Sequence, residues 1–166
     1  MSARTHTADR RTERALSLDT LQRAVLLPQI EAFHEAARDP QARALYAELR
    51  EAVERMEVAP EFTERLGAII EVALSSGRIR KLFGPGAEAS LTTLFNQTPP
   101  GRRIADSIAA LNTALKSLAG RTLEEASASP RNSGCYALSL KTSGCRIVVR
   151  FEPSGVRVES LEFDLA

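Results

Sequence analysis

The fold is decided by the stretch GCYALSLKTSGCRIVVRFEPSGVRVESLEFDLA, which occupies residues 134–166. Apolar residues alternate with small or polar ones on both sides of the Ser-Gly pair at 143–144, as in two strands joined by a tight turn. A two-residue turn there puts the large apolar side chains at 136, 138, 140, 147, 149 and 151 on one face, and a slip by one residue would expose them all. The predicted cross-strand pairs are Thr142–Cys145, Leu140–Ile147, Leu138–Val149 and Tyr136–Phe151.

A third strand is predicted after a second turn signal, Pro-Ser-Gly at 153–155. The predicted pairs there are Val156–Pro153 and Val158–Phe151. The apolar positions then change phase, because the later ones are odd-numbered: Leu161, Phe163 and Leu165. One extra residue near Glu159 and Ser160 would return these side chains to the buried face, so we expect a β-bulge there. Residues 134–166 therefore predict a three-stranded antiparallel meander.

The chain upstream of the meander is predicted to be helical, since apolar residues recur at three- and four-residue steps in several segments. Asp39 with Pro40, and later Pro60, mark helix starts. Pro28 should kink the first helix or start a second one, because it removes a backbone donor. Residues 78–103 are predicted to be less regular, with glycine and proline breakers around one short helix.

Together these elements predict an α+β fold in which four to five N-terminal helices pack on the C-terminal three-stranded meander. Only the helices can cover the apolar face of the sheet. The segment before the meander contains three serines and Pro130, which is typical of a loop. We expect a disordered polar tail over 1–16 and a single domain over 17–166, divided into a helical part 17–120, a loop 121–133 and the meander 134–166.

Composition places the chain among ordinary globular proteins. It has 166 residues, 43% hydrophobic and 26% charged, with a net charge of +1, so bulk charge indicates no particular partner. The sequence shows no secretory pattern and no apolar run near the roughly 18 residues that span a bilayer, so we expect a cytoplasmic protein without membrane association. In the predicted register the Cα atoms of Cys135 and Cys145 lie about 23 Å apart, whereas a disulfide needs them within about 7 Å. We therefore expect no disulfide between them.

Charge is unevenly distributed along the chain. Residues 18–77 carry 11 acidic and 6 basic side chains, whereas residues 78–122 carry 2 acidic and 7 basic ones. The two regions are expected either to face each other or to be solvated within one compact domain. Alternatively, the basic region forms a surface that binds phosphate groups or an acidic protein. The candidate partner- or anion-binding residues are Arg78, Arg80, Lys81, Arg102 and Arg103.

The second face of the meander carries basic and acidic side chains and is predicted to be solvated, with cross-strand ion pairs. Its charged residues are Lys141, Arg146, Arg150, Glu152, Arg157 and Glu159. An RNA-binding sheet would present aromatic side chains on which bases stack, and this face has none.

No cluster of residues carries recognisable chemistry. His6 and His34 are distant from each other and from the two cysteines, which is not the spacing of a zinc site. The Gly-Pro-Gly at 84–86 lacks the pattern of a phosphate-binding loop, and Glu88 just after it would repel phosphate. The sequence therefore predicts no catalytic residue, no metal and no cofactor.

Three classes of function remain open. We favour a non-catalytic protein-interaction or regulatory module, such as an adaptor, inhibitor or assembly factor, because catalytic constellations are missing. The alternatives are a nucleic-acid-associated protein that uses a basic 78–103 patch, and an enzyme or small-ligand protein whose site forms only in three dimensions. An exposed edge strand of the meander would also allow a homodimer by strand addition.

Overall fold

The computed structural model describes residues 14–153 and 155–163. This described part has five helices followed by a four-stranded antiparallel sheet, together with a small two-stranded sheet, and is α+β as predicted. It divides into two compact units, of which the first ends at Pro100 and the second begins at Gly101. Most of the predicted polar tail, residues 1–13, lies outside the described residues. The single domain predicted over residues 17–166 stays a prediction.

The first unit is mainly helical. Its helices are α1 (Thr20–Ala36), α2 (Pro40–Glu54), α3 (Pro60–Ser75) and α4 (Arg78–Phe95). Two short strands, β1 (Leu16–Ser17) and β2 (Glu57–Val58), pair antiparallel. Leu16 is buried in this pair, so regular structure begins within the predicted tail 1–16.

The helix starts of the first unit follow from the local sequence. Asp19 forms a capping box at the start of α1. The Asp39 side chain accepts hydrogen bonds from two backbone N–H groups of α2, and Pro40 occupies the first turn of that helix. Pro60 opens α3 in the same way, so these predicted starts are confirmed. Pro28 lies within α1, which continues through it to Ala36.

The region predicted to be irregular, residues 78–103, is largely helical. Helix α4 begins at Arg78 and is broken at Gly84, whose φ of 85° and ψ of 173° are non-helical. The predicted short helix is therefore only the second segment of α4. Ile79 of the first segment is buried in the core, which stabilises the segment.

All four helices contribute apolar side chains to the core of the first unit. The largest fully buried members are Leu26, Ile30, Leu49, Leu66, Ile69, Ile70, Ile79, Leu91 and Leu94. The chain approaches itself closely at Gly67 of α3, where an added Cβ would lie 2.7 Å from Thr98 Oγ1 and 2.8 Å from Pro100 Cγ. Glycine is therefore required for α3 to touch the turn that follows α4.

The second unit consists of helix α5 and a sheet. Its elements are α5 (Pro99–Leu115, beginning at the end of the first unit), a 3-10 turn (Lys116–Leu118), β3 (Leu123–Asn132), β4 (Cys135–Thr142), β5 (Cys145–Glu152) and β6 (Gly155–Phe163), with sheet order β3-β4-β5-β6. Ile147, Val149 and Val156 form the buried centre of the sheet's apolar face. They are covered by Leu111, Ala114, Leu115 and Leu118, so α5 with its 3-10 turn packs on the face that the sequence predicts to be apolar.

The central hairpin has the predicted register. Its pairs include Thr142–Cys145, Leu140–Ile147, Leu138–Val149 and Tyr136–Phe151. The bulge is confirmed as well, because Val148 pairs with Ser160 and Val149 with Val158, which leaves Glu159 as the extra residue of β6. The predicted pairs at the second turn are wrong: Val156 lies opposite Phe151, because Glu152 and Gly155 close a two-residue turn. Leu165, also expected on the apolar face, lies outside the described residues.

The sheet has four strands where the sequence predicts three, because the predicted loop 121–133 contains β3. This strand pairs antiparallel with β4, from Leu123 opposite Thr142 to Asn132 opposite Cys135. All 10 residues of β3 are exposed, so its side chains do not alternate between core and solvent and the usual strand signal is absent. Pro130 fits because β3 is an edge strand.

Candidate functional site

The structure places the predicted basic residues in two groups. Arg78, Arg80 and Lys81 lie in the first turn of α4 in the first unit, and all three are exposed. Arg102 and Arg103 lie near the start of α5 in the second unit and are also exposed. The Arg80 Nη1 atom lies 3.7 Å from Glu88 Oε2, which partly neutralises the first group. Binding by these residues stays a prediction.

One of these basic residues, Arg78, borders an apolar groove on the first unit. The groove runs between α1 and α3, and its lining residues are Gln29, Ala32, Phe33, Ala36, Val72, Ala73, Ser76 and Arg78. Its cavity volume is about 290 Å³. Val72 in its wall is 53% exposed, which is high for a valine beside a helical core. Arg78 is the single charged residue of this lining. We call this feature the α1–α3 groove.

A second, more polar cleft opens beside the α1–α3 groove. It has a cavity volume of about 390 Å³ and is lined by Tyr46, Glu61, Glu64, Arg65 and Ala68. Phe33 of the groove contacts Tyr46 of the cleft, with ring centroids 5.8 Å apart, and the Arg65 guanidinium lies 5.2 Å from the centre of the Tyr46 ring. We call this feature the Tyr46 cleft.

The groove and the cleft open on the same side of α3. Residues 61, 65, 68, 72 and 76 line them at steps of three or four, and such positions lie on one face of a helix. Two glutamates, Glu61 and Glu64, lie near the start of this face, and Arg78 follows its end. This face of α3 therefore carries two glutamates and Arg65 near its start and is apolar at Ala68 and Val72, and Arg78 follows its end.

The second unit has a smaller cleft that contains Arg103. Its cavity volume is about 180 Å³, and its lining residues are Arg103, Ser107, Glu152, Gly155, Val156 and Arg157. Arg157 Nη2 lies 3.3 Å from Glu152 Oε1, so an anion entering this cleft would compete with a carboxylate that is already in place. The cleft therefore does not favour anion binding.

The polar face of the sheet carries the cross-strand ion pairs that the sequence predicts. Arg150 pairs with both Glu159 and Glu152, and Arg157 also pairs with Glu152. Arg131 of β3 extends this network, with its Nη2 atom 3.6 Å from Glu159 Oε2. Three arginines of this face, Arg131, Arg150 and Arg157, are thus engaged with carboxylates, which disfavours a phosphate-binding sheet.

Part of the sheet's apolar face remains exposed. Tyr136 and Phe151 lie directly opposite each other on β4 and β5, and they are 56% and 42% exposed. Phe163, at the end of the described part of β6, is 53% exposed. Large exposed apolar side chains that lie side by side are typical of interaction surfaces.

His34 belongs to a group of charged side chains that links α1 to α2. Its Nδ1 atom lies 3.7 Å from Glu31 Oε1, and the other oxygen of Glu31 accepts a hydrogen bond of 2.9 Å from Arg50 Nη1. This hydrogen bond and the negative charge of Glu31 raise the pKa of Arg50 above its ordinary value. The arrangement is an inter-helix ion pair.

The described residues contain no group of three or more His, Cys, Asp or Glu side chains that could hold a metal ion. Both cysteines are free, and Cys145 is buried. None of the helices in residues 14–153 and 155–163 is long and apolar enough to cross a membrane. Comparison with models of known protein families, with curated proteins and with solved structures finds no match to this chain.

The α1–α3 groove was not predicted from the sequence. Its α1 wall has a visible signal, because Gln29, Ala32, Phe33 and Ala36 recur at helical spacing and two of them are small. Phe33 is half-buried in the structure. That α3 would form the opposite wall depends on which helices pack together, which local spacing does not determine.

Proposed function

We propose that this chain is a non-catalytic protein-interaction module, such as an adaptor, inhibitor or assembly factor, and that the α1–α3 groove binds an amphipathic helix of its partner. The observation that carries the proposal is an open apolar groove with small side chains in both walls. Ala32 and Ala36 lie in one wall and Ala73 in the other. Small residues let a helix backbone approach closely, and a groove between two helices suits the apolar face of a third.

Charge complementarity defines the partner helix further. Its apolar residues, at i, i+3 or i+4 and i+7, would contact Phe33 and Val72 in the groove. An acidic residue near one end would face Arg78. Since α3 rises about 1.5 Å per residue, Glu61 lies roughly four helical turns before the end of α3, and a longer partner helix would place a basic residue near Glu61. Partner recognition by this groove would thus combine a buried apolar contact with charges at its ends.

The proposal can be tested with displayed libraries of amphipathic helical peptides, screened against the intact chain. Ala32→Trp fills the groove from its exposed wall, and Ala89→Trp makes the same change at an exposed alanine of α4 outside the groove. We expect peptides selected on the unchanged protein to bind Ala32→Trp at least about five-fold more weakly, since blocking a central apolar contact costs more than about 1 kcal/mol. Ala89→Trp should leave binding unchanged.

A second pair of variants tests the predicted acidic residue of the partner. Arg78→Glu should shift the selected peptides from acidic to basic at one end, whereas Lys81→Glu, an exposed charge reversal outside the groove, should not. Selection of the same peptides by the unchanged protein and by Ala32→Trp would refute the groove as the binding site.

The nucleic-acid alternative has weaker support. The five predicted basic residues lie on two separate units, and Arg80 is close to Glu88. Binding to random DNA or RNA that weakens steeply with salt would favour this alternative over a protein partner. No binding at low salt would exclude it.

A further inference from the structure

The outer edge of β3 is the second feature of this chain that is open to a partner, and it is independent of the α1–α3 groove. The two-residue turns of the sheet determine which backbone N–H and C=O groups of β3 face β4 and which face away from the sheet. Thr142 and Cys145 close a two-residue turn, so they form a hydrogen-bonded pair between β4 and β5. Alternate residues of β4 therefore form backbone hydrogen bonds with β5. The residues between them form backbone hydrogen bonds with β3; these are Lys141, Ser139 and Ala137.

This alternation fixes which residues of β3 face outward. Glu125, Ser127 and Ser129 lie opposite the three residues of β4 that bond to β3, so their backbone groups point inward. The backbone groups of Ala126 and Ala128 then point away from the sheet. Pro130, which has no N–H, belongs to the same outward set, as expected for proline in an edge strand.

The outward backbone groups are free to pair. In the part of the chain that the structure describes, no backbone hydrogen bond outside the regular elements reaches Ala126 or Ala128. Every residue of β3 is exposed, so no element among the described residues covers this edge. The central residues are small, Ala-Ser-Ala-Ser at 126–129, and a second strand could approach them without steric hindrance.

We infer that a second copy of this chain pairs with the first through β3, antiparallel, with the two-fold axis at Ser127. In this register Ala126 lies opposite the partner's Ala128, and the two symmetric pairs exchange four N–H···O hydrogen bonds. The two four-stranded sheets become one continuous sheet. The arrangement is closed by its symmetry, because the same edge is used on both copies.

Charge complementarity supports antiparallel pairing of two β3 strands. Glu125 and Arg131 lie near opposite ends of β3, and both are exposed. Arg131 faces the polar side of the sheet, where it pairs with Glu159, and Glu125 lies on that side opposite Lys141. With the axis at Ser127, Glu125 lies diagonal to the partner's Arg131, a separation that long side chains bridge. Because of the two-fold symmetry, this ion pair forms twice in the dimer.

The other edge of the sheet suits self-pairing less well. Strand β6 has its bulge at Glu159, near its middle, which interrupts the row of outward backbone groups. In β3 the register shifts lie near the two ends, between Leu123 and Glu125 and between Pro130 and Asn132. The regular part of β3 is short, so we expect a reversible dimer that forms with increasing protein concentration.

The test is analytical ultracentrifugation of the full chain and of charge-reversed variants, from about 10 µM to about 1 mM, because dimerisation follows mass action. Glu125→Arg alone and Arg131→Glu alone each place like charges on both diagonals, and we expect dimerisation roughly ten-fold weaker in each. Combining the two changes in one chain restores the pairing. Glu162→Arg reverses an exposed charge on β6, at the opposite edge, and should leave dimerisation unchanged.

Mixing the two single variants gives the sharpest result. A heterodimer of Glu125→Arg with Arg131→Glu has opposite charges on both diagonals, so the mixture should associate more tightly than either variant alone. Ala128→Pro should abolish the dimer while far-UV circular dichroism stays unchanged, because the N–H that it removes points outward. A monomer at about 1 mM, or a mixture that associates no better than its components, would overturn the inference.

Discussion

Gly67→Ala should destabilise the protein, although alanine is the better helix former. Gly67 lies in the interior of α3, and a Cβ there would lie 2.7 Å from Thr98 Oγ1, 2.8 Å from Pro100 Cγ and 2.9 Å from Pro100 Cδ. Neither neighbour moves easily. Thr98 is fully buried and its hydroxyl donates a 2.6 Å hydrogen bond to the Phe95 carbonyl, while Pro100 is a rigid ring that is also buried.

The magnitude follows from two opposing terms. Replacing glycine by alanine inside a helix stabilises it by about 1 kcal/mol. Overpacking a well-packed site costs about 1–3 kcal/mol, and three contacts below 3.0 Å place Gly67 at the upper end of that range. We therefore expect Gly67→Ala to lower the free energy of unfolding by about 2 kcal/mol.

Gly86→Ala is the matched control. No atom lies within 4 Å of the position that its Cβ would occupy, and its φ is not positive. We expect this variant to be more stable by about 0.4–1 kcal/mol. Urea denaturation followed by circular dichroism at 222 nm measures both changes. A Gly67→Ala variant at least as stable as the unchanged protein would refute the close approach between α3 and the turn after α4.

Four further predictions concern stability and reactivity. Met56 has a φ of 58°, so Met56→Gly should raise the unfolding free energy by about 0.5–1 kcal/mol in urea denaturation, and a loss would contradict the left-handed conformation. Asp39→Ala removes the cap of α2 and should cost about 1 kcal/mol in the same assay. Ile147→Ala removes a fully buried side chain from the centre of the sheet and should cost about 2–5 kcal/mol; a cost below that of Asp39→Ala would argue against its central position. A thiol reagent should modify half-buried Cys135 in the folded protein but buried Cys145 only after unfolding, and equal rates would contradict the burial of Cys145.

The register of the central hairpin could be predicted because two independent signals agree. Alternation places Leu140 and Ile147 on one face, and the two-residue turn between them allows no other pairing. The bulge at Glu159 followed from the same reasoning, since the later apolar residues are out of phase. In both cases the information is local, and burial of one sheet face fixes it.

Strand β3 could not be predicted because none of its side chains is buried. Its conformation comes from backbone pairing with β4, and the serines and Pro130 of its sequence resemble a loop. The first segment of α4 was missed for a related reason. The helix breakers Gly84, Pro85 and Gly86 predict irregular structure, whereas burial of Ile79 stabilises the first segment as a helix.

Only part of the α1–α3 groove could be predicted from the sequence. Local spacing shows that Phe33 and Val72 occupy helix faces, but it does not show that these faces border the same open space. The choice of Arg78 as a binding residue came from charge counting, and the structure places it beside that space. The remaining predicted basic residues do not line the groove. The distribution of charge along a sequence does not show which residues border the same surface feature.

The order of the strands has a kinetic consequence. In the sheet β3-β4-β5-β6 each strand pairs only with its neighbours in the sequence, and the paired strands are joined by very short turns. The entropy lost on closing each connection is therefore small, and most strand pairing can proceed by successive hairpin additions. For a sheet rich in such local contacts we expect folding within milliseconds, faster than is usual for β proteins whose strands pair across long loops.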